Sequence, residues 1–265
     1  MRTFFFGGPR RLNGVLHEAQ GAARSTGVLL CYPGVQEYNL THWAVRKLAG
    51  LLARQGFHAL RFDYSCTGDS AGDLYDADVR HHVEDIVTAA EELKDAAGVR
   101  RVSVIGMRLG ALLAARAISQ GLSVRDLLLW EPVFGGREYV EQLEQLDHHL
   151  ATRKNHRITH PRIELAGYPF PSRMRAALEE LSLEKSVPKA ARRVAMFLMA
   201  DAPAAEATRE AWRAAGVVTT TRLVHEESGG LFGSAGDGDS AVHYNAMLSA
   251  LAEHLQQHDT AKVAA

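Results

Sequence analysis

The stretch Val102-Ser-Val-Ile-Gly-Met-Arg-Leu-Gly-Ala111 constrains this chain more than any other. An apolar run rich in β-branched residues enters a Gly-x-x-x-Gly turn at Gly106 and Gly110, and the alanine-rich stretch Ala111–Ala117 follows. Glycine permits the tight turn and the close approach of strand and helix, so the pattern is the strand, sharp turn and helix of a nucleophile elbow. At the tip of that turn, where a nucleophile belongs, stands Arg108. A guanidinium is not deprotonated at ordinary pH and cannot attack a carbonyl carbon. The sequence therefore carries the scaffold of a nucleophile without the nucleophile.

Around the elbow, strand and helix signals alternate. Leu12–Glu18 reads as an early edge strand and Gly27–Tyr32 as a buried strand ending at Pro33-Gly34; Phe57–Phe62, Val102–Ile105, Leu127–Trp130, Val194–Met199 and Val217–Val224 read as further strands. Helical periodicity covers Trp43–Gln55, Ala77–Ala97 and Ala204–Ala215, each followed by a glycine suited to a C-cap, and again Ser240–Gln257. The alternation predicts an α/β fold, a mainly parallel sheet flanked by helices, as one domain over residues 1–265. Between Gly135 and Lys189 the pattern breaks into Glu/Gln-rich helix, His/Arg-rich polar sequence and Gly167-Tyr-Pro-Phe-Pro171, which predicts a cap inserted over residues 135–190.

Composition narrows the partners. Thirty basic residues against thirty-one acidic ones leave a net charge of -1, which argues against a surface for nucleic acid. The Phe4–Phe6 run is too short for a signal-peptide core, and no other stretch reaches the length of a membrane span. Cys31 and Cys66, the two cysteines, have no metal-ligand or redox spacing. His81-His82 and His148-His149 are chain neighbours that point to different helix faces, so no cofactor or metal pattern is read. The expectation is a soluble, reduced, cytoplasmic protein of open oligomeric state.

The loop Phe62-Asp-Tyr-Ser-Cys-Thr-Gly-Asp-Ser70 resembles the F-D-x-x-G-x-G-D-S loop of α/β-hydrolases. The elbow Gly106–Ala114, with Leu127-Leu-Leu-Trp-Glu-Pro132 and Ala166-Gly-Tyr168, is similar to the group called exosortase A system-associated hydrolase type 2, over most of the chain. That resemblance implies the α/β-hydrolase fold, an arginine at the elbow as a trait of the group, and a setting near extracellular polysaccharide and protein-sorting systems. It does not fix a reaction, because one fold hosts many.

A hydrolytic triad needs nucleophile, acid and histidine in that chain order. Here the three positions fall on Arg108, on Asp201 after the strand Val194–Met199, and on His225 after the last strand. Each has a plainer reading: His225 as an ordinary strand-end histidine, Asp201 as a cap for the helix that begins near Pro203. Arg108 reads as half of an internal ion pair with Glu131 or Asp201, as a binder of carboxylate, phosphate or sulfate at a helix N-terminus, or as a stabiliser of a developing anion. The backbone donors of an oxyanion hole map onto Leu109 and Val35, although Tyr32-Pro33-Gly34 stands where relatives often have His-Gly.

Arg108, Glu131, Tyr168 and Cys66 are the candidate substrate contacts. Cys66 would be activated if its thiol lay beside Arg108, but reads first as a small turn residue; Cys31 reads as core. Trp43 and Trp212 read as helix packing. Arg153, Lys154, His156, Arg157, His160 and Arg162 form a basic cluster in the insertion, suited either to solvent or to an anionic ligand. Together these features point to an acyl or carboxylate-bearing small molecule of ester or thioester type, free or carrier-bound, handled without a serine acyl-enzyme. The alternative is a non-catalytic protein that binds a metabolite or a protein partner.

Overall fold

Strands that carry apolar side chains on both faces have to be covered on both faces, and three such strands set the middle of this molecule. In the computed structural model, which describes residues 1–154, 164–226 and 244–259, β3 (Thr26–Cys31), β5 (Arg101–Met107) and β6 (Val124–Trp130) are buried almost throughout. The other strands of the sheet are β1 (Arg2–Phe6), β2 (Leu12–His17), β4 (Ala59–Phe62), β9 (Ala191–Leu198) and β10 (Thr219–Leu223), in the order β1-β2-β4-β3-β5-β6-β9-β10. β1, β2 and β4 pair antiparallel; every pairing from β4 to β10 is parallel.

Helices α1 (Val35–Arg54) and α7 (Asn245–His258) pack together, as do α2 (Val79–Ala97) and α3 (Leu109–Ser119), while α6 (Pro203–Ala214) covers β10. Between β6 and β9 the chain leaves the sheet for α4 (Gly136–Lys154), the two-residue strands β7 (Glu164–Leu165) and β8 (Tyr168–Pro169), and α5 (Ser172–Glu179). α4 packs on α5, and α5 reaches α2. Gly136 is needed at the start of this insertion: a Cβ there would lie 1.8 Å from the Leu178 carbonyl oxygen.

Two elements differ from the sequence reading. The Phe4–Phe6 run forms β1, an added edge strand whose Phe4 pairs with Gly14. Helix α1 starts at Val35 rather than Trp43, because its early buried positions carry the polar Glu37 and Thr41 and hide the apolar periodicity. Trp43 itself is 64% exposed, with Arg46 over its ring, and is not core. Trp212 is buried and donates from Nε1 to the Leu183 carbonyl at 2.7 Å. The basic cluster at His156, Arg157, His160 and Arg162, the side chains of Arg153 and Lys154, the glycine-rich Ser228–Gly238 and the expected helix start at Ser240 lie outside the described residues. Among the described residues no helix is long and apolar enough to cross a membrane, and no group of three His, Cys, Asp or Glu side chains is placed to hold a metal ion.

At the edge where β3, β5, β6 and β9 begin, a buried ionic cluster fastens the end of α7. Asp126 accepts from Ser103 Oγ at 2.7 Å and from Arg193 Nε at 2.6 Å. Asp259 faces Arg125 at 3.3 Å, with Arg24 and Arg101 each at 3.8 Å. Removing one partner leaves the others desolvated and uncompensated, a loss of about 3–5 kcal/mol. Asp126→Ala should therefore lower Tm by roughly 10 °C in thermal denaturation.

Two histidines, the buried His17 and the half-buried His254, set an acid limit. Burial, and then Arg61, lowers His17 from 6.5 to about 4; burial, and then His258, does the same to His254. Between these values the unfolded chain binds protons that the folded chain does not, so their contribution is complete above pH 6.5 and is lost as pH falls towards 4. Tm measured across that window should fall for the native protein, and less steeply for His17→Gln combined with His254→Gln.

Candidate functional site

The elbow is built as its spacing requires. Met107 ends β5, Leu109 begins α3, and Arg108 between them is held at φ 52°, ψ -120°, a conformation that side-chain-bearing residues seldom adopt and that costs of order 1–3 kcal/mol. Its backbone is pinned on both sides, N–H to the Trp130 carbonyl at 3.0 Å and carbonyl to the Ala111 N–H at 3.0 Å. The two glycines are steric necessities: a Cβ on Gly106 would sit 2.5 Å from Ala111 Cα, and one on Gly110 would sit 2.2 Å from the Tyr32 carbonyl oxygen. So α3 lies against the ends of β3 and β5 and brings Arg108 to the rim of the sheet.

The Arg108 side chain meets a partner that the sequence reading did not name. Its Nε donates to Glu37 Oε1 at 2.9 Å, and its second terminal nitrogen donates to Gln142 Oε1 at 3.0 Å. The side chain is 14% exposed and that of Glu37 1%. The other Glu37 oxygen accepts from the Tyr139 hydroxyl at 3.1 Å. Arg108 on the elbow, Glu37 in the first turn of α1, and Tyr139 and Gln142 on α4 thus form one polar tie, buried at Glu37 and Tyr139 and exposed at Gln142. Burial works to lower the Arg108 pKa, but Glu37, Tyr139 and Glu131 outweigh it and hold the guanidinium above its ordinary range. Burial first, and Glu37 second, raise the Tyr139 phenol far above its ordinary value, which keeps it a proton donor to Glu37.

The expected ion-pair partners therefore need correction. Asp201 is exposed, in the loop before α6. It does not cap that helix either: the N-cap residue is Ala202, with no side-chain cap bond. Glu131 stays close enough to influence Arg108, but its carboxylate accepts from the Met199 N–H. Burial raises the Glu131 pKa against the opposing pull of that N–H and of Arg108. His225 is exposed at the end of β10, and among the described residues no hydrogen bond or ion pair joins it to Asp201.

Tyr139 stands between two cavities. The first, about 250 Å³, is lined by Leu109, Gly34 and Gln36 together with aromatic side chains that include Tyr168. The second, wider, about 810 Å³, is lined by Arg108, Glu131 and Asp201 and by acids of α4 and α5. The candidate residues are thus divided, with Leu109 and Tyr168 on one side of the tie and Arg108, Glu131 and Asp201 on the other. Val35 is the first residue of α1, next to the N-cap Gly34, where a Cβ would lie 2.3 Å from the Tyr139 hydroxyl.

Cys66 lines neither cavity. It has φ 65°, which explains why a glycine suits this loop position, and a Cβ on Gly72 would lie 2.5 Å from its sulfur. Burial, with Asp76 and Asp85, raises its thiol pKa, the reverse of what activation needs. The loop itself is organised by Asp63, which accepts from Tyr38 Oη at 3.0 Å, Asp69 N–H at 3.1 Å and Asn13 Nδ2 at 3.3 Å.

The fold, with a nucleophile-elbow turn between β5 and α3, defines an α/β-hydrolase. Residues 24–226 match the family described as serine aminopeptidase, S33, and the chain belongs to that family. Among solved structures it is similar to proline iminopeptidase from Mycobacterium smegmatis, with 15% identity and TM-score 0.64 over 97% of this chain and 98% of that one. It is similar also to Est1E from Butyrivibrio proteoclasticus in a ferulic acid complex, with 13% identity and TM-score 0.65 over 97% of each chain. A third likeness is to XC6422 from Xanthomonas campestris, titled an a/b serine hydrolase without lid, with 15% identity and TM-score 0.57 over 97% of this chain and 92% of that one. At these identities the likeness is one of fold. No curated protein matches the chain at the sequence level.

The polar tie gives a direct test by denaturant unfolding. Glu37→Leu leaves Arg108 desolvated and should cost about 3–5 kcal/mol, whereas Glu37→Leu combined with Arg108→Met should recover most of that loss. Losses that simply add would show that the two side chains are not coupled.

Proposed function

We propose that this protein binds an acyl or carboxylate-bearing small molecule of ester or thioester type, free or carrier-bound, beside the elbow and without forming a serine acyl-enzyme. The observation that carries this reading is the commitment of the residue at the elbow tip: Arg108 donates to buried Glu37 and to Gln142, and it offers no nucleophilic atom. Among the described residues, what remains of hydrolase machinery is the backbone. The N-terminal N–H groups of α3 at Leu109 and of α1 at Val35 are the donors this reading assigns to a ligand carbonyl, with Tyr168 in the cavity wall. The insertion α4–α5 serves as the cap over that cavity. The likeness of the elbow and of Leu127–Pro132 to exosortase A system-associated hydrolases supports a place near extracellular polysaccharide or protein-sorting systems, and the ferulic acid named with Est1E supports an acyl ligand.

A second reading, turnover without serine, is favoured by one observation: Glu131, whose pKa burial raises, lines the same cavity as Arg108. A carboxyl so placed suits proton transfer. Treating the protein with a fluorophosphonate and with nitrophenyl esters and acyl thioesters separates the readings. The binding reading expects no covalent adduct by intact mass and no turnover above background. Turnover by the native protein that disappears in Glu131→Gln or Arg108→Ala moves the assignment to the second reading, and a stoichiometric serine adduct overturns both.

A further inference from the structure

Helix α1 presents cations and a bare tryptophan on its outer face. Among its described side chains the exposed ones are Asn39, Leu40, Trp43, Arg46, Lys47 and Arg54, whose spacing puts them on one side of the helix. Leu40 is 56% exposed and Trp43 64%, whereas the other two tryptophans, Trp130 and Trp212, are buried. The Arg46 guanidinium lies over the Trp43 ring, 5.2 Å from its centroid, and Lys47 Nζ donates to the uncharged Asn245 side chain at 2.6 Å. Among the described residues no acid forms an ion pair with Arg46, Lys47 or Arg54. The one acid of α1, Glu37, is buried and engaged by Arg108.

The neighbouring helix does not cancel this charge. α7 packs on α1, and its one acid, Glu253, faces Arg222 at 3.5 Å. By contrast α2 carries Glu84, Asp85, Glu91, Glu92 and Asp95 against Arg80 and Lys94. The nearly neutral chain therefore distributes its charge unevenly, and α1 is a basic face.

Tryptophan settles at the headgroup level of a bilayer, where its ring finds apolar surroundings and its N–H stays wet. Lys and Arg beside it are drawn to acidic headgroups. A helix of 20 residues extends about 30 Å along such a plane, so its cations meet the surface together. A protein partner would have to supply both a hollow for Trp43 and acids at matching positions, whereas a bilayer yields to the ring wherever the two meet. We propose that α1 seats this protein peripherally on a bilayer containing anionic phospholipid. Leu40 and Trp43 enter the headgroup region, and Arg46, Lys47 and Arg54 lie against the phosphates. The seating does not depend on which ligand the protein takes.

Vesicle flotation of the full chain tests this, with phosphatidylcholine alone and with phosphatidylcholine carrying phosphatidylglycerol as a third of the lipid. Binding to the anionic vesicles should exceed binding to the neutral ones at least tenfold, and high salt should release the protein. Emission of Trp43 should shift to the blue on binding and be quenched by brominated acyl chains; Trp43→Phe should still bind and lose both changes. Arg46→Gln combined with Lys47→Gln should weaken binding roughly 25-fold, about fivefold for each charge removed. Leu40→Ser combined with Trp43→Ser should weaken it about tenfold. All these side chains are exposed, so the variants should fold with little change in Tm, and Arg80→Gln on α2 should bind as the native protein does. Failure of the native protein to bind anionic vesicles overturns the proposal; self-association in ultracentrifugation that the double serine variant abolishes would then give the face to a second copy of the chain. Equal binding to neutral vesicles, or binding that survives intact in both double variants, also overturns it.

Discussion

The ion pair between Arg108 and Glu37 is the interaction on which the upper rim of this molecule depends. Two charges so far removed from water are tolerable only when each has its counterpart in place. The pair joins residues 71 positions apart in the chain and, through Tyr139 and Gln142, adds α4 as a third element. The elbow, the first turn of α1 and the insertion are therefore held to one another at the place where an acyl-transfer enzyme of this fold would have its reaction centre. Glu37 is well placed for this, because a carboxylate in the first turn of a helix also faces the positive end of the helix dipole.

That tie also explains the division of the surrounding space. With the guanidinium turned towards Glu37, Arg108 lines the wider cavity with Glu131 and Asp201, while Leu109, the next residue, lines the aromatic one. Tyr139 belongs to both walls. The two sides differ in chemistry: one is wide and lined by charged side chains, the other is narrower and aromatic, with Asp63 the one Asp, Glu, Lys or Arg among its described lining residues. A small molecule that uses both must present its polar part and its ring on opposite sides of the elbow.

Much of the fold was legible because it follows from patterns of burial. Central strands such as Gly27–Tyr32 and Leu127–Trp130 are apolar on both faces, helices such as Ala77–Ala97 stop at a glycine, and the elbow glycines stand where backbone approaches backbone. Of the polar tie, only Arg108 was legible. Glu37 looks like any acid near a helix start, and nothing local marks it as buried; its meaning appears only when α1 is laid across the end of β5. The ionic cluster at Asp126 and Asp259 joins side chains from five separate stretches of the chain, and no short-range pattern predicts it.

The tie bears on what the arginine means. An arginine that had merely replaced a nucleophile would be expected to project into solvent, leaving the groups around it suited to the residue it displaced. Here Glu37, Gln142 and Tyr139 are all arranged to fit a guanidinium, and Gly34 makes room for the Tyr139 hydroxyl that completes the arrangement. Serine at position 108 would leave the Glu37 carboxylate buried with Tyr139 as its remaining hydrogen-bond donor among the described residues. The elbow has kept its backbone geometry, strain included, while Glu37, Tyr139 and Gln142 link its tip to α1 and α4. That combination is what a protein requires if it uses this turn to hold helices and frame a cavity instead of to attack a carbonyl.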